Sequence, residues 1–190
     1  MATKNRDKTY QIKITLRYSN PPIWRRLILP GNTTLAKLHQ IIQVAMGWTE
    51  IHLHLFIIKN EQYSDPFDID LFPVKNERKY RLSDVAQRKG SRFLYEYDFG
   101  DSWKHEILIE KITREEEPPN HARCIAGERA CPPEDVGGIG GYARFLAAIK
   151  DPTHKEHEFY KDWLGKEFDP EAFDLERINR KLKRIRLRSR

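Results

Sequence analysis

Nine side chains in this sequence could hold a metal ion or move a proton: His52, His54, Asp98, Asp101, His105, Glu134, Asp135, His154 and His157. His52 and His54 stand two apart in "IHLHLFII", Ile51 to Ile58, a run that reads as a strand. Side chains with period two share a side roughly 7 Å apart, a spacing that two ligands of one metal can use. The metal set this suggests is His52, His54 and Asp98, with a divalent ion as the cofactor. Asp101, His105 and Glu134 would then supply the acid–base groups of a metal-dependent hydrolase. Against that reading, no HExxH or CxxC spacing ties these residues together. Scattered polar sets are often structural networks, and Asp and Gly are ordinary turn residues.

Two other motifs could carry chemistry. Cys124 and Cys131 have six residues between them, which matches neither a zinc knuckle nor a redox pair, so they read as small buried residues. "PEDVGGIGGY" sets glycines near a helix start, where backbone N–H groups could hold an anion. It lacks the GK[ST] of a phosphate loop, and glycines that permit tight turns explain it equally well.

The net charge of +6 is concentrated at one end. Residues 177–190, "RINRKLKRIRLRSR", hold eight of the 34 lysines and arginines and no acid, so the rest of the chain carries 26 bases against 28 acids. Leu175, Ile178, Leu182 and Ile185 keep helical spacing through this tail. Such a helix could dock by its apolar stripe and offer Arg180, Lys181, Lys183, Arg184, Arg186 and Arg188 to phosphate. Nucleic acid is the partner this implies, although no base-reading motif accompanies the charge. Ending the chain after Asn179 should remove the charge and leave the body intact.

The elements that must position these residues follow from periodicity. "YQIKITLRY" (Tyr10 to Tyr18) alternates strictly, and "IWRRLIL" (Ile23 to Leu29) resumes an extended pattern after Pro21-Pro22, giving two antiparallel strands. Thr33 or Thr34 caps a helix with Leu35, Leu38, Ile42 and Ala45 on one side and Gly47 at its left-handed end. Residues 60–79 read as a long loop, and "LSDVAQRKG" as a helical turn or two. In "YEYDFGDSWKH", the heart of a hairpin of Arg92 to Phe99 and Trp103 to Ile112, two apolar faces align only across an odd-numbered loop, Gly100-Asp101-Ser102. Tyr97 then faces His105 and Asp98 faces Lys104. A Gly/Pro-rich loop over 118–141 precedes helices from Tyr142, one ending at Gly165 and one capped by Asp169.

The expected fold is therefore α+β in a single domain of residues 1–190, strand-rich over 10–112 and helical over 142–190. It has a mainly antiparallel sheet of about five strands, one helix packed on it and a C-terminal helical segment. No apolar run approaches the ~20 residues of a membrane helix, and the polar start "MATKNRDKTY" and two cysteines fit a cytoplasmic protein.

"IWRRLILP", "TLAKLHQIIQVAMGW", "HLHLF", "YEYDFGDSWKHEILIE", "ACPPEDVGGIGGY" and "DWLGKEFDPEAFD" occur in that order between about Tyr10 and Lys183. Together they resemble the plasmid pRiA open-reading-frame-three-like family, whose members occur on plasmids and chromosomes and as passengers of insertion sequences. The resemblance implies an accessory or binding protein of mobile elements and brings no reaction with it. Many relatives read "ACPPEDCGG", whereas Val136 takes the third cysteine position here, which weakens a zinc site on that loop.

Overall fold

The structure, a computed structural model, describes residues 8–67, 73–115, 117 and 119–187. Its strands are Lys8–Leu16 (β1), Trp24–Pro30 (β2), His54–Ile58 (β3), Glu61–Ser64 (β4), Lys75–Asn76 (β5), Arg92–Tyr97 (β6), Trp103–Arg114 (β7) and Arg123–Glu128 (β8). The helices are Leu35–Met46 (α1), Leu82–Val85 (α2), Gly138–Lys150 (α3), His157–Leu164 (α4) and Leu175–Leu182 (α5).

The α+β character holds, but the sheet has eight strands in the order β5-β4-β3-β6-β7-β1-β2-β8, not about five. It is also mixed, because β5 runs parallel to β4. The three additional strands lie in stretches expected as loops: β4 and β5 in residues 60–79, and β8 in the Gly/Pro-rich run. They are short or lack alternation, and tertiary contact fixes them instead of propensity. Gly127 illustrates the point, since a Cβ there would stand 2.6 Å from the Phe173 ring and 2.9 Å from Arg25. Only glycine lets β8 approach so closely.

Alternation places the core on one sheet face. Tyr10, Ile12, Ile14 and Leu16 of β1 join Leu27, Leu29, Phe56, Phe93, Tyr95, Ile107 and Ile109 there, all nearly or fully buried, against Leu35, Leu38, Ile41 and Ile42 of α1. The α1 caps are as expected: Thr34 accepts from Lys37 N, and Gly47 is left-handed at φ 98°. Lys13, Trp24, Arg26 and Glu110 lie off this core, where Arg26 and Glu110 pair at 2.6 and 2.9 Å and Arg26 and Lys13 cover the Trp24 ring.

Arg25 is a cation inside this core, 3% exposed. Among the described residues it has no carboxylate partner, and it donates instead to the carbonyls of Trp24, Ala45, Glu128 and Arg129 at 2.8–2.9 Å, with Phe173 stacked on its guanidinium. Ala45 lies in the last turn of α1, the negative end of that helix. The guanidinium thus ties α1 to the β2–β8 edge.

The hairpin register differs from expectation. Tyr95 faces His105, Tyr97 faces Trp103 and Glu96 faces Lys104, so the loop has five residues, Asp98 to Ser102. Asp98 turns left-handed at φ 56°, and its carboxylate accepts from Gly100 N at 2.9 Å and Asp101 N at 3.3 Å. These local bonds end the ladder early. β3 is likewise shorter than the expected Ile51 to Ile58. Ile51 and Leu53 are 64% and 41% exposed.

At the C-terminal end, α4 stops at Gly165 as expected (φ 64°). The last helix begins later: Asp174, not Asp169, is its cap, accepting from Arg177 N at 2.8 Å. Asp169 closes a separate turn onto Glu171 N. Leu182 is fully buried, with Leu175, Ile178 and Ile185 packed part-buried on the core. Asn179 accepts from Cys124 N and donates to Cys124 O, both at 2.9 Å. A chain ended after Asn179 would lose Leu182 from the core, so the body would not survive that cut intact.

Candidate functional site

The loop before β3, the hairpin tip and the run between β8 and α3 converge on one spot. Trp48 is the anchor. Its ring stacks on Tyr97 (centroids 5.1 Å) and meets His105 edge-on, and its Nε1 donates to Pro132 O at 2.9 Å. Glu134 fastens the same two segments, accepting from the Tyr97 and Thr49 hydroxyls at 2.6 Å each. Burial, and then the Glu134 carboxylate, hold the Tyr97 phenol well above its ordinary pKa. The Tyr97 oxygen in turn accepts from Ile51 N at 3.1 Å, which orients the segment that carries His52.

On this frame His52 Nε2 stands 3.0 Å from Asp135 Oδ1 and 3.7 Å from Asp98 Oδ2. Asp98 and Asp135 both adopt positive φ, 56° and 62°. Residues other than glycine rarely do so, and such conformations persist where surrounding bonds over-determine them. His52, Asp98 and Asp135 are the group of three among the described residues whose ligand atoms lie close enough to share an ion.

His54 leaves the expected metal set. It opens β3 on the core side, where its ring stacks on His39 (centroids 3.5 Å, 8° between planes) and its Nε2 meets Glu77 Oε2 at 2.7 Å, both side chains buried. His52 lies in the turn ahead of the strand, so the period-two argument that paired the two histidines does not apply. His39 is bound on both sides. Gln43 Nε2 donates to the Tyr95 oxygen at 2.9 Å, the Tyr95 hydroxyl meets His39 Nδ1 at 2.8 Å, and His39 Nε2 faces Glu50 at 3.2 Å. With Gln43 donating, the Tyr95 proton goes to Nδ1 and the imidazole proton stays on Nε2, toward Glu50. Burial lowers the His39 pKa, and its bond to Glu50 works against that shift. His39, Glu50, His52, His54, Asp65 and Glu77 line a polar cleft of about 520 Å³ between α1, β3 and the Glu77 turn.

The other expected residues are placed apart from these groups. Asp101 Oδ2 accepts from Gly137 N at 3.1 Å, so a carboxylate of the chain itself occupies the helix start that could have held an anion. A Cβ on Gly138 would lie 2.5 Å from Asp101 O, which accounts for the glycine there. His105 is fully buried, its Nδ1 bonded to Trp103 O at 3.0 Å, and burial pushes its pKa down to about 3. His154 and His157 bond to Glu156 N and Ala148 O near the α3–α4 junction. Cys124 and Cys131 are free thiols, and burial pushes that of Cys131 up to about 12. Arg180, Lys181, Lys183, Arg184 and Arg186 are exposed, and Arg188 lies outside the described residues.

His39, Glu50 and Glu77 escaped the sequence reading. The available signal was a histidine set into the apolar stripe of α1, a position that demands a polar partner once buried. Glu50 and Glu77 carry no such signal, because Glu50 reaches the cleft from a loop and Glu77 from a single 3-10 turn, Glu77–Lys79.

A mixed sheet backed by helices, with a polar cleft at one end and a basic helix closing its edge, is an architecture that defines a class of protein and not a reaction. The chain belongs to the family of plasmid pRiA4b ORF-3-like proteins, which matches residues 8–177. It is 34% identical over 178 residues to the uncharacterized protein y4hQ of Sinorhizobium fredii, covering 90% of this chain and 88% of that one. It is also similar to the crystal structure of a protein of unknown function, MM3350 from Methanosarcina mazei Go1, at 38% identity and a TM-score of 0.77, over 88% of this chain and 96% of that one. Among the described residues, no helix is long and apolar enough to cross a membrane.

Proposed function

We infer that this chain is a binding protein that engages the phosphate backbone of nucleic acid through α5 and the turn after it. One observation carries this reading. Arg180 and Lys181 stand on a helix whose apolar side is embedded, and Lys183, Arg184 and Arg186 follow in the turn after it, where Ile185 packs on the core, so these exposed bases are held to the body and do not trail from it. Ordering these bases before contact removes an entropic cost that a disordered tail would meet on binding. The near-neutral body supplies little competing attraction, so binding should be local and salt-sensitive.

Contact with about four phosphates would make log K fall with log salt at a slope of about −3.6. Replacing Arg180, Lys181, Lys183, Arg184 and Arg186 together by glutamine leaves Leu182 in place. Duplex titrations at several salt concentrations should then show weaker binding and a slope flattened by about 0.9 per lost contact. Equal affinity and slope in the two proteins would remove α5 as the interface.

A further inference from the structure

The geometry points to a divalent transition-metal site formed by His52 Nε2, Asp98 Oδ2 and Asp135 Oδ1, separate from the α5 face and owing nothing to it. Three observations support it. The first is spacing. Neighbouring ligand atoms of a tetrahedral ion with bonds of about 2.0–2.1 Å stand about 3.3 Å apart. The two histidine–carboxylate separations here are 3.0 and 3.7 Å, and all three atoms lie within 4.8 Å of one another. Asp135, whose side chain is 58% exposed, has room to close the remaining gap.

The second observation concerns His52. Its Nε2 is sealed from solvent, yet it is in hydrogen-bond geometry with neither carboxylate. A histidine held by a plain ion pair would aim an N–H along that 3.0 Å line, because a buried polar atom left unbonded is costly. A lone pair turned toward a cation between the two acids removes the anomaly. Third, Asp98 is already oriented. Gly100 N and Asp101 N hold its Oδ1, which leaves Oδ2 toward His52 and gives the ligand the outer support that metal carboxylates usually have.

One imidazole and two carboxylates form a borderline-hard set suited to zinc, manganese or cobalt. Three protein ligands leave at least one position for water or a substrate oxygen.

The test is titration of the chelator-washed, full-length protein with Co²⁺, followed by visible absorption. One saturating equivalent with d–d bands is expected, displaced by Zn²⁺. Asp135→Asn keeps an exposed side chain that tolerates positive φ, and His52→Gln keeps the volume, so both should fold, as checked by circular dichroism. Each should weaken Co²⁺ binding at least tenfold, while His154→Gln leaves it unchanged. The site is overturned if the wild type gives no saturable band up to millimolar Co²⁺. It is overturned equally if Asp135→Asn and His52→Gln bind as the wild type does, which would assign any uptake to other histidines of the seven.

Discussion

Two histidine clusters lie on either side of the segment from Trp48 to His54, and they solve opposite problems. The His39–His54 stack is buried and three of its four ring nitrogens are engaged: Tyr95, Glu50 and Glu77 each take one, and Gln43 orients Tyr95. The His52 cluster is looser and incomplete, with Asp135 facing solvent and Nε2 without a hydrogen bond. A satisfied network holds one arrangement in place, whereas an unsatisfied one is where a ligand can add something. The same residue types, two positions apart in sequence, therefore carry different weights of function and stability.

The comparison breaks most visibly at Glu77. Replacing it with alanine leaves His54 buried without its partner, and urea denaturation should show a loss of about 3 kcal/mol. A loss below about 1 kcal/mol would mean that the stack is not what fixes this end of the sheet. Acid probes the buried histidines together. His105 and His39 have folded pKa values below that of the free side chain, so the unfolded chain takes up protons that the folded one refuses. Stability is then full above about pH 6.5 and declines as the pH drops toward about 3, with His105 alone contributing a loss of about 2 kcal/mol by pH 5. A flat urea midpoint between pH 7 and 5 would contradict the burial of these rings. The smallest effect belongs to the open cluster. Asp135→Asn in metal-free buffer should change stability by no more than about 0.5 kcal/mol, or about 1–2 °C in Tm. A larger shift would show that Asp135 acts structurally, like Glu77.

Much of this architecture could be read along the chain because it rests on periodicity. β1, β2, α1 with its caps, the β6–β7 hairpin and the apolar stripe of α5 all come from alternation or helical spacing. What escaped depends on contacts between distant segments. β8 follows from the fit of Gly127 beneath Phe173, and the register of the β6–β7 hairpin from the Asp98 side chain competing with the ladder. The site divided in the same way. His52 and Asp98 were legible as metal-binding types, and Asp135 as a further carboxylate. Their convergence was not, because His52 sits in a turn where period two fails and Asp135 is delivered by the Glu134–Tyr97 tether. For that same reason His54 does not join His52 and lies instead against His39 and Glu77.

Asn179 bears on how this molecule behaves among copies of itself. β8 ends the sheet, and a free edge is a template on which another strand can add. The amide of Asn179 meets both the N–H and the C=O of Cys124, as the backbone of an incoming strand would. The helix that carries the positive charge thus also covers a sticky margin, and a variant that loosened α5 would expose that edge to other copies of the chain.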